Sequence, residues 1–224
     1  MKKEKEKRKK KMDIRDERGD AIDITRLEVD EQRLAAQYVD ADDTVIELGA
    51  RYGSVSCTIN AKLRCKTAQV VVEPDARVWD ALERNKRANM CEFHIVKGFV
   101  SRQRLGLTNL EDYYGGYGAT FVDKEDSTAA VYTLDGICAE LGMQFTALVA
   151  DCEGFLERFL DENPTLYDTL RLVIFEADYP QKCDYAKIRR ALEEKGFTEK
   201  VGGFQNVWTK RGTVELTNQP ALEP

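Results

Sequence analysis

The chain has 224 residues, of which 42% are hydrophobic and 9% aromatic, a composition typical of one globular domain. No stretch approaches the roughly 18 apolar residues that a membrane-spanning helix needs, and the first residues lack the apolar core of a secretory signal. The six cysteines form no C-x-x-C pair and there is one histidine, which argues against a zinc site. We therefore expect no membrane span and a cytoplasmic protein with reduced thiols.

Charge is distributed unevenly along the chain. The first eleven residues hold eight of the 34 basic residues and two of the 40 acidic ones, so the rest of the chain is acidic. An acidic body argues against a nucleic-acid groove, because phosphate binding needs clustered Lys and Arg. The basic tail could bind nucleic acid, a membrane surface or an import receptor, but its composition favours a solvated arm. We expect a disordered tail over residues 1–20, one domain over 21–211 and a loose tail over 212–224.

Apolar periodicity predicts alternating helices and strands from residue 24 onward. In chain order we expect a helix over 24–38, a strand over 44–48, a helix over 53–66, a strand over 69–73, a helix over 76–89 and a strand over 93–96. Residues 98–133 break this alternation and predict a hairpin or a long loop. The alternation then resumes with a helix over 134–141, a strand over 147–150, a helix over 153–162, a strand over 172–175 and a helix over 184–195.

The last apolar segments differ from the rest. Residues 197–201 and 204–209 are strand-like and flank Gly202 and Gly203, a pattern typical of a β-hairpin. Strands that alternate with helices pair in parallel. The predicted fold class is therefore α/β, with a doubly wound, mostly parallel sheet that ends in an antiparallel hairpin. This layout is similar to that of class I methyltransferases, whereas dinucleotide-binding domains stay parallel throughout.

The turn after the first strand carries the strongest chemical signal. The strand ends in Gly49 and a helix opens at Gly53, a spacing that brings backbone close to a ligand and points helix N–H groups at it. Glu73, at the end of the second strand, can accept hydrogen bonds from both hydroxyls of a ribose. Together these features predict a nucleoside-containing ligand. Arg51 stands where a dinucleotide fingerprint has its middle glycine, which favours S-adenosyl-L-methionine over NAD.

Six segments resemble the FkbM-type methyltransferases in their order and spacing, from about residue 44 to residue 210. The segments are 47–53 (E-L-G-A-R-Y-G), 72–75 (V-E-P-D), 98–101 (G-F-V-S), 133–135 (T-L-D), 148–154 (L-V-A-D-C-E-G) and 172–176 (L-V-I-F-E). Arg51 stands where the family usually has Asn, and Phe99 where it often has Ala. The resemblance implies an S-adenosyl-L-methionine-dependent methyltransferase that acts on oxygen, commonly on a sugar or natural-product hydroxyl.

These segments, read with the predicted strand ends, indicate the residues that would bind the cofactor. They are Glu47, Gly49, Ala50, Arg51, Gly53, Glu73, Pro74, Asp75, Gly98 and Phe99. Among them, Glu47 is placed to hold the cofactor's ammonium group through water. Asp75 could reach the adenosine or serve as a turn residue.

The candidate catalytic residues lie at strand ends, where ligands bind in open α/β sheets. Asp151 and Glu176 end neighbouring strands, and Glu153 lies two residues beyond Asp151. A hydroxyl nucleophile must lose its proton, so we assign Asp151 as the base or acceptor-orienting group, with Glu153 or Glu176 second. The alternatives are an N-cap role for Asp151 and a solvated strand end for Glu176. No metal centre is predicted, although Asp151 with Glu153 could hold a cation weakly.

The expected partner is a small-molecule or glycan acceptor, and nucleic acid is not expected. Tyr113, Tyr114 and Tyr117 could stack on a sugar or close over the pocket, or could belong to a surface hairpin. Two rival functions stay open at this point. One is N-methylation of RNA or protein with the basic tail recruiting the polymer, and the other is a catalytically idle domain that binds the cofactor or a partner.

Overall fold

The computed structural model describes residues 12–108 and 120–210. The helices in these ranges are α1 Val29–Tyr38, α2 Ser54–Lys62, α3 Trp79–Ala88, α4 Leu134–Leu141, α5 Leu156–Glu162, α6 Leu166–Thr169 and α7 Tyr185–Glu194. The strands are β1 Val45–Leu48, β2 Gln69–Glu73, β3 His94–Lys97, β4 Phe99–Val100, β5 Leu105–Thr108, β6 Thr120–Asp123, β7 Val131–Tyr132, β8 Ala147–Ala150, β9 Leu172–Glu176, β10 Thr198–Val201 and β11 Gln205–Thr209. The predicted order of helices and strands is confirmed in these ranges.

Seven strands form one sheet in the order β10-β11-β9-β8-β1-β2-β3. The pairs from β9 to β3 are parallel, whereas β11 pairs antiparallel with both β9 and β10. The predicted doubly wound sheet with a terminal antiparallel hairpin is therefore confirmed. Gly202 and Gly203 lie in the loop of that hairpin, as expected. The chain adds β2 and β3 on one side of β1 and later adds β8 and β9 on its other side, so the strand order switches at β1. The carboxyl ends of β1, β2 and β8 therefore lie together at one edge of the sheet.

Helices cover both faces of the sheet, because neighbouring residues of its central strands point to opposite sides. On one face, β1, β8 and β9 contribute Val45, Val149 and Ile174, which pack with α1 and α2, and Val71 of β2 packs with α3. On the other face a larger core includes residues of α4, α5, α6 and α7. Buried on both faces, these strands carry continuous apolar runs, which is why the sequence showed no alternation in them.

Several helices start later than the sequence predicted, and the backbone gives the reason. Glu28 adopts a left-handed conformation with φ 48°, so α1 begins at Val29 and not at residue 24. Glu153 and Gly154 are also left-handed, with φ 53° and 84°, and α5 begins only at Leu156. Left-handed residues cannot continue a right-handed helix. Asp151 therefore lies five residues before α5 and does not cap it.

The amino-terminal segment differs from the disordered tail that was predicted over residues 1–20. Residues 12–20 pack against α3: Ile14 is 1% exposed, and the backbone N–H groups of Asp13 and Arg15 donate to the side chains of Asn89 and Asn85. These bonds and the apolar contacts of Met12 and Ile14 attach the segment to the domain, although most of its residues are charged. Residues 1–11 and the predicted loose tail after 211 lie outside the described residues.

The insertion between β3 and α4 contains the two arms of the predicted hairpin. β5 and β6 pair antiparallel, and β4 pairs with β7 beside them. Tyr113, Tyr114 and Tyr117, which we expected to stack on a sugar or cover a pocket, lie outside the described residues. Within residues 12–108 and 120–210, no helix has both the length and the apolar composition needed to cross a bilayer.

Candidate functional site

A cleft with an empty volume of about 800 Å³ opens at the carboxyl ends of β1, β2 and β8. This volume lies within the range of small-molecule sites. Nine of the predicted site residues line the cleft: Gly49, Arg51, Glu73, Pro74, Asp75, Gly98, Phe99, Asp151 and Glu153. The strand ends thus bring together residues as far apart in the sequence as Gly49 and Glu153, as the predicted topology requires.

Glu73, the last residue of β2, is the best-defined polar group of the cleft. One of its carboxylate oxygens accepts the backbone N–H of Arg51 at 2.6 Å, and the other accepts that of Asp75 at 2.7 Å. Trp79 donates its indole N–H to the Glu73 carbonyl at 2.8 Å, which fixes the strand end. Burial raises the pKa of Glu73 to about 7. Each carboxylate oxygen has a second lone pair, so Glu73 can still accept two hydrogen bonds from a ligand.

The backbone N–H groups of the turn after β1 form more hydrogen bonds within the protein than the sequence suggested. Its N–H groups were expected to face a ligand, but those of Gly49 and Ala50 donate to the Val72 carbonyl at 3.0 and 3.1 Å. The N–H of Arg51 binds Glu73, and that of Gly53 binds the Ala50 carbonyl at 2.7 Å. This expectation was therefore wrong for four amides of the turn. The turn contributes the surface of Gly49 and the position of Arg51 to the cleft, not a nest of free donors.

Pro74, Asp75, Gly98 and Phe99 form the end of the cleft beyond Glu73. The Asp75 carboxylate is buried and binds the guanidinium of Arg77, at 2.6 Å for the shortest contact. It is therefore tied to its own loop, in keeping with the turn role that the sequence left open. Phe99 is buried and packs edge-on against Phe155, so its ring forms a wall of the cleft and does not fill it.

Four predicted residues do not line this cleft. Ala50 is 3% exposed in the core beneath α3, and Gly53 packs against Leu82 of that helix. Glu47 and Glu176 line a second, smaller cavity next to the cleft. The cofactor contacts of Ala50 and Gly53 were inferred from a motif. In the structure both residues pack between β1 and α3 and do not line the cleft.

Glu47 is almost completely buried, with two hydrogen bonds to its carboxyl group. Ser56 of α2 donates at 2.8 Å to one oxygen and Gln69 of β2 donates at 3.1 Å to the other. Burial, together with the nearby carboxylates Glu28 and Glu73, raises the pKa of Glu47 to about 8. Its hydrogen-bonding partners lie in the protein, so a contact with the cofactor through water stays a prediction.

The predicted catalytic carboxylates meet at the ends of β8 and β9. Burial raises the pKa of Asp151 well above its ordinary value, and repulsion from Glu176, Glu28, Glu153 and Asp178 adds to the effect. Burial and a hydrogen bond with Glu31 raise the pKa of Glu176 to about 8. A raised pKa suits a carboxylate for proton transfer near neutral pH. Asp151 faces the cleft, whereas Glu176 lies in the adjacent cavity.

A third carboxylate, which no sequence pattern indicated, lies beside those of Asp151 and Glu153. Asp178, in the loop after β9, offers an oxygen within 4.8 Å of oxygens from the other two. Asp178 also accepts the Tyr185 hydroxyl at 2.7 Å, which holds it in place. Carboxylate oxygens are the ligands that hard divalent cations prefer, so a metal ion could bind here. No metal centre was predicted, because Asp178 is close to the other two only after the loop folds back.

The far wall of the cleft is apolar, and sequence reasoning missed it. Leu107 of β5, Phe121 of β6 and Phe155 lie along it. Phe121 packs edge-on against Phe155 with ring centroids 5.1 Å apart, between the cations of Arg158 and Lys182. These contacts hold the arms of the β5–β6 hairpin against the cleft. The sequence showed the hairpin but not which face of it would meet the site.

Comparisons with known proteins bear on the fold. No protein-family model matches the sequence, and no curated protein matches it. The structure is similar to that of precorrin-6y C5,15-methyltransferase from Geobacter metallireducens GS-15, with a TM-score of 0.51 and 12% identity over 80% of this chain and 87% of that chain. It is also similar to a protein in the NADB-Rossmann superfamily from Streptococcus agalactiae, with a TM-score of 0.50 and 8% identity over 80% of this chain and 67% of that chain. This chain therefore has the Rossmann-like fold of class I methyltransferases.

Proposed function

We propose that this protein is an S-adenosyl-L-methionine-dependent methyltransferase of the FkbM type, which methylates a hydroxyl group of a sugar, a glycan or another small molecule. The observation that carries the proposal is the Glu73 carboxylate, which is held by two backbone N–H groups at the end of β2 and faces the cleft. A class I methyltransferase fold with an acid at this strand end suits a ligand that contains a ribose.

The residues of the cleft fit this cofactor. Glu73 has one free lone pair on each oxygen for the two ribose hydroxyls. Beyond it, Pro74, Gly98 and Phe99 offer flat and apolar surface to the adenine. In the other direction the cleft continues past Gly49 to Asp151, which leaves space for the amino-acid end. Arg51 does not oppose this arrangement, because it lines the cleft while its guanidinium lies over the Tyr52 ring.

The reaction needs a base and an aligned acceptor. When bound, the cofactor supplies an electrophilic methyl group attached to a sulfonium. Asp151, at the end of β8, takes the proton from the acceptor hydroxyl or orients it. Its raised pKa makes the carboxylate a stronger base than an exposed aspartate. Glu153, two residues further and also in the cleft wall, is placed to accept a second hydroxyl of the acceptor.

The apolar wall supports a sugar-like acceptor. Phe121 and Phe155 lie in the same cleft as the carboxylates of Asp151 and Glu153. A pyranose ring has an apolar C–H face and polar hydroxyls at its rim, so it matches a site with aromatic surface on one side and acceptors on the other. The acidic lining disfavours acceptors that carry phosphate groups.

Calorimetry with S-adenosylhomocysteine tests the cofactor assignment. The wild-type protein should bind it, and Glu73→Gln should weaken binding about 10- to 100-fold, because hydrogen bonds to a charged group are lost. Asp80→Asn, an exposed acid on α3, is the matched control and should bind like the wild type. Binding of NAD in place of S-adenosylhomocysteine would overturn the proposal.

Transfer of a labelled methyl group tests the acceptor class. We expect label in sugar, glycan or small-molecule pools. Label found only in RNA or protein would contradict the proposal and support a polymer substrate. Deleting residues 2–11 should leave turnover of a small acceptor intact, since the cleft is built from residues after 27.

A further inference from the structure

The second cavity, of about 330 Å³, lies at the carboxyl ends of β1, β8 and β9 and adjoins the cleft. Its charged lining residues are all acidic: Glu28, Glu31, Glu47, Asp151 and Glu176. Glu28 and Asp151 line both the cavity and the cleft, as do Leu48 and Gly49. The two spaces therefore meet at the turn after β1, and Glu28 lies at their junction.

Protein groups already engage most of these acids. Glu47 receives bonds from Ser56 and Gln69. The amide of Gln205 donates to both Glu31 and Glu176, at 3.3 Å to Glu176, and Glu31 helps to raise the pKa of Glu176. Of the five acids, Glu28 and Asp151 are the two that also line the cleft.

The position of Glu28 is fixed from two sides. Its backbone turns the chain into α1, and its carboxylate accepts the hydroxyl of Ser54, the first residue of α2. Ser54 comes directly after the turn that begins at Gly49. Glu28 is also close enough to Glu47 and Asp151 to raise the pKa of both. The side chain therefore lies over the turn between β1 and β8.

The sheet order determines which part of the cofactor reaches this point. β1 lies between β2 and β8, so a ligand whose ribose binds Glu73 on β2 extends its other end over β1 toward Asp151. That end of the cofactor carries an α-ammonium group. The four amides of the turn that donate within the protein are donors in any case, and an ammonium group needs acceptors.

We infer that Glu28 binds the α-ammonium group of S-adenosyl-L-methionine. This inference rests on the proposed function and assigns a residue to it that no sequence motif indicated. Glu47 is engaged by Ser56 and Gln69 and does not line the cleft, whereas Glu28 does. The direct contact with the ammonium group therefore belongs to Glu28, the residue before α1, and not to Glu47 on β1.

The affinities of three ligands distinguish recognition of the ammonium group by Glu28 from a general effect of Glu28 on the site. They are S-adenosylhomocysteine, its analogue without the amino group, and 5′-methylthioadenosine, which lacks the whole amino-acid end. Calorimetry on the wild-type protein should show that S-adenosylhomocysteine binds at least about tenfold more tightly than the deaminated analogue, as expected for a charged hydrogen bond. Equal affinity for these two ligands would overturn the inference without any variant.

Glu28→Gln should weaken the binding of S-adenosylhomocysteine about tenfold or more and leave the affinities of the other two ligands within about twofold. Glu28→Ala should give the same pattern. Asp30→Asn is the matched control, because Asp30 is an exposed acid in the first turn of the same helix and pairs with Arg33 outside the cleft.

The outcomes distinguish the inference from the proposed function. If the wild type binds all three ligands and Glu28→Gln weakens them equally, or weakens none, Glu28 does not recognise the ammonium group. If the wild type binds none of the three, the proposed cofactor is wrong and the inference falls with it. A normal thermal unfolding curve for Glu28→Gln excludes loss of folding as the cause of weaker binding.

Discussion

Gly49 and Asp151, at the ends of the neighbouring strands β1 and β8, approach so closely that a Cβ atom on Gly49 would lie 1.7 Å from the Asp151 carbonyl oxygen. The contact is with backbone, so no side-chain movement can relieve it. The glycine of this turn is therefore required by the junction of two strands, and the same junction fixes the main chain that carries the proposed base.

Gly49→Ala should destabilise the protein by about 3 kcal/mol or more, since it adds a backbone clash to the strain of a left-handed alanine. The φ of Gly49 is 85°. Gly196 is the matched control, with φ 83° and no atom within 4 Å of an added Cβ, so Gly196→Ala should cost only about 1 kcal/mol. Thermal unfolding measures both, at about 2–4 °C per kcal/mol. Equal losses in the two variants would refute the clash.

Glu47→Gln should reduce the pH dependence of stability. Burial raises the pKa of Glu47 to about 8 from an ordinary 4.5, so the folded state favours the protonated form. The stabilisation from this group is complete below about pH 4.5 and is lost as the pH rises through about 8, with a slope of at most about 1.4 kcal/mol per pH unit. The variant does not titrate there. Its free energy of unfolding in urea should therefore fall less steeply than that of the wild type over this window, and parallel curves would contradict the assignment.

Asp151→Asn should lower kcat for methyl transfer by about a hundredfold or more, because the amide cannot take the acceptor's proton. The affinity for the acceptor should change far less than kcat. Glu153→Gln is the comparison, with a smaller loss expected in kcat and a larger effect on KM. Single-turnover transfer of a labelled methyl group to the acceptor found by the pool assay measures both variants. An Asp151→Asn protein with normal turnover would exclude this residue as the base.

Phe121→Ala should loosen the β5–β6 hairpin from the cleft. The ring packs on Phe155 and between Arg158 and Lys182, contacts that together are worth at least about 1.4 kcal/mol, or a factor of ten in local opening. Amide hydrogen exchange in residues 105–108 and 120–123 should therefore be about tenfold faster. Val122→Ala, at an exposed neighbouring position, should leave the exchange almost unchanged. Equal effects from both substitutions would mean that Phe121 does not anchor the arm.

The strands were predicted more accurately than the helix starts. The predicted strands 69–73 and 147–150 match β2 and β8 to the residue, because the central residues of a strand buried on both faces form a continuous apolar run. The starts of α1 and α5 were placed too early, at 24 and 153. The left-handed residues Glu28 and Glu153 delay them, and glutamate carries no local signal for that conformation.

The site was predicted where its chemistry is local in the sequence. Glu73 follows an apolar run and precedes Pro74, so its place at a strand end could be read from neighbouring residues. Glu28, Asp178 and Phe121 come from other segments and reach the site only through α1, the loop after β9 and the β5–β6 hairpin. The turn at Gly49 was identified from its glycine spacing. Its N–H groups, however, donate within the protein: those of Gly49 and Ala50 to the Val72 carbonyl and that of Arg51 to Glu73.

The sequence by itself determined the alternation of elements, the parallel sheet with its final hairpin and the strand-end acids, because hydrophobic period and turn chemistry are properties of short segments. Only the tertiary structure decided which groups the site leaves for a ligand. Hydrogen bonds join segments that are far apart in the chain. The Val72 carbonyl accepts the amides of Gly49 and Ala50, Gln69 and Ser56 donate to Glu47, and Ser54 donates to Glu28 where the cleft and the second cavity meet. Which donor pairs with which acceptor depends on distances in the folded chain, and these cannot be derived from the spacing of residues in the sequence.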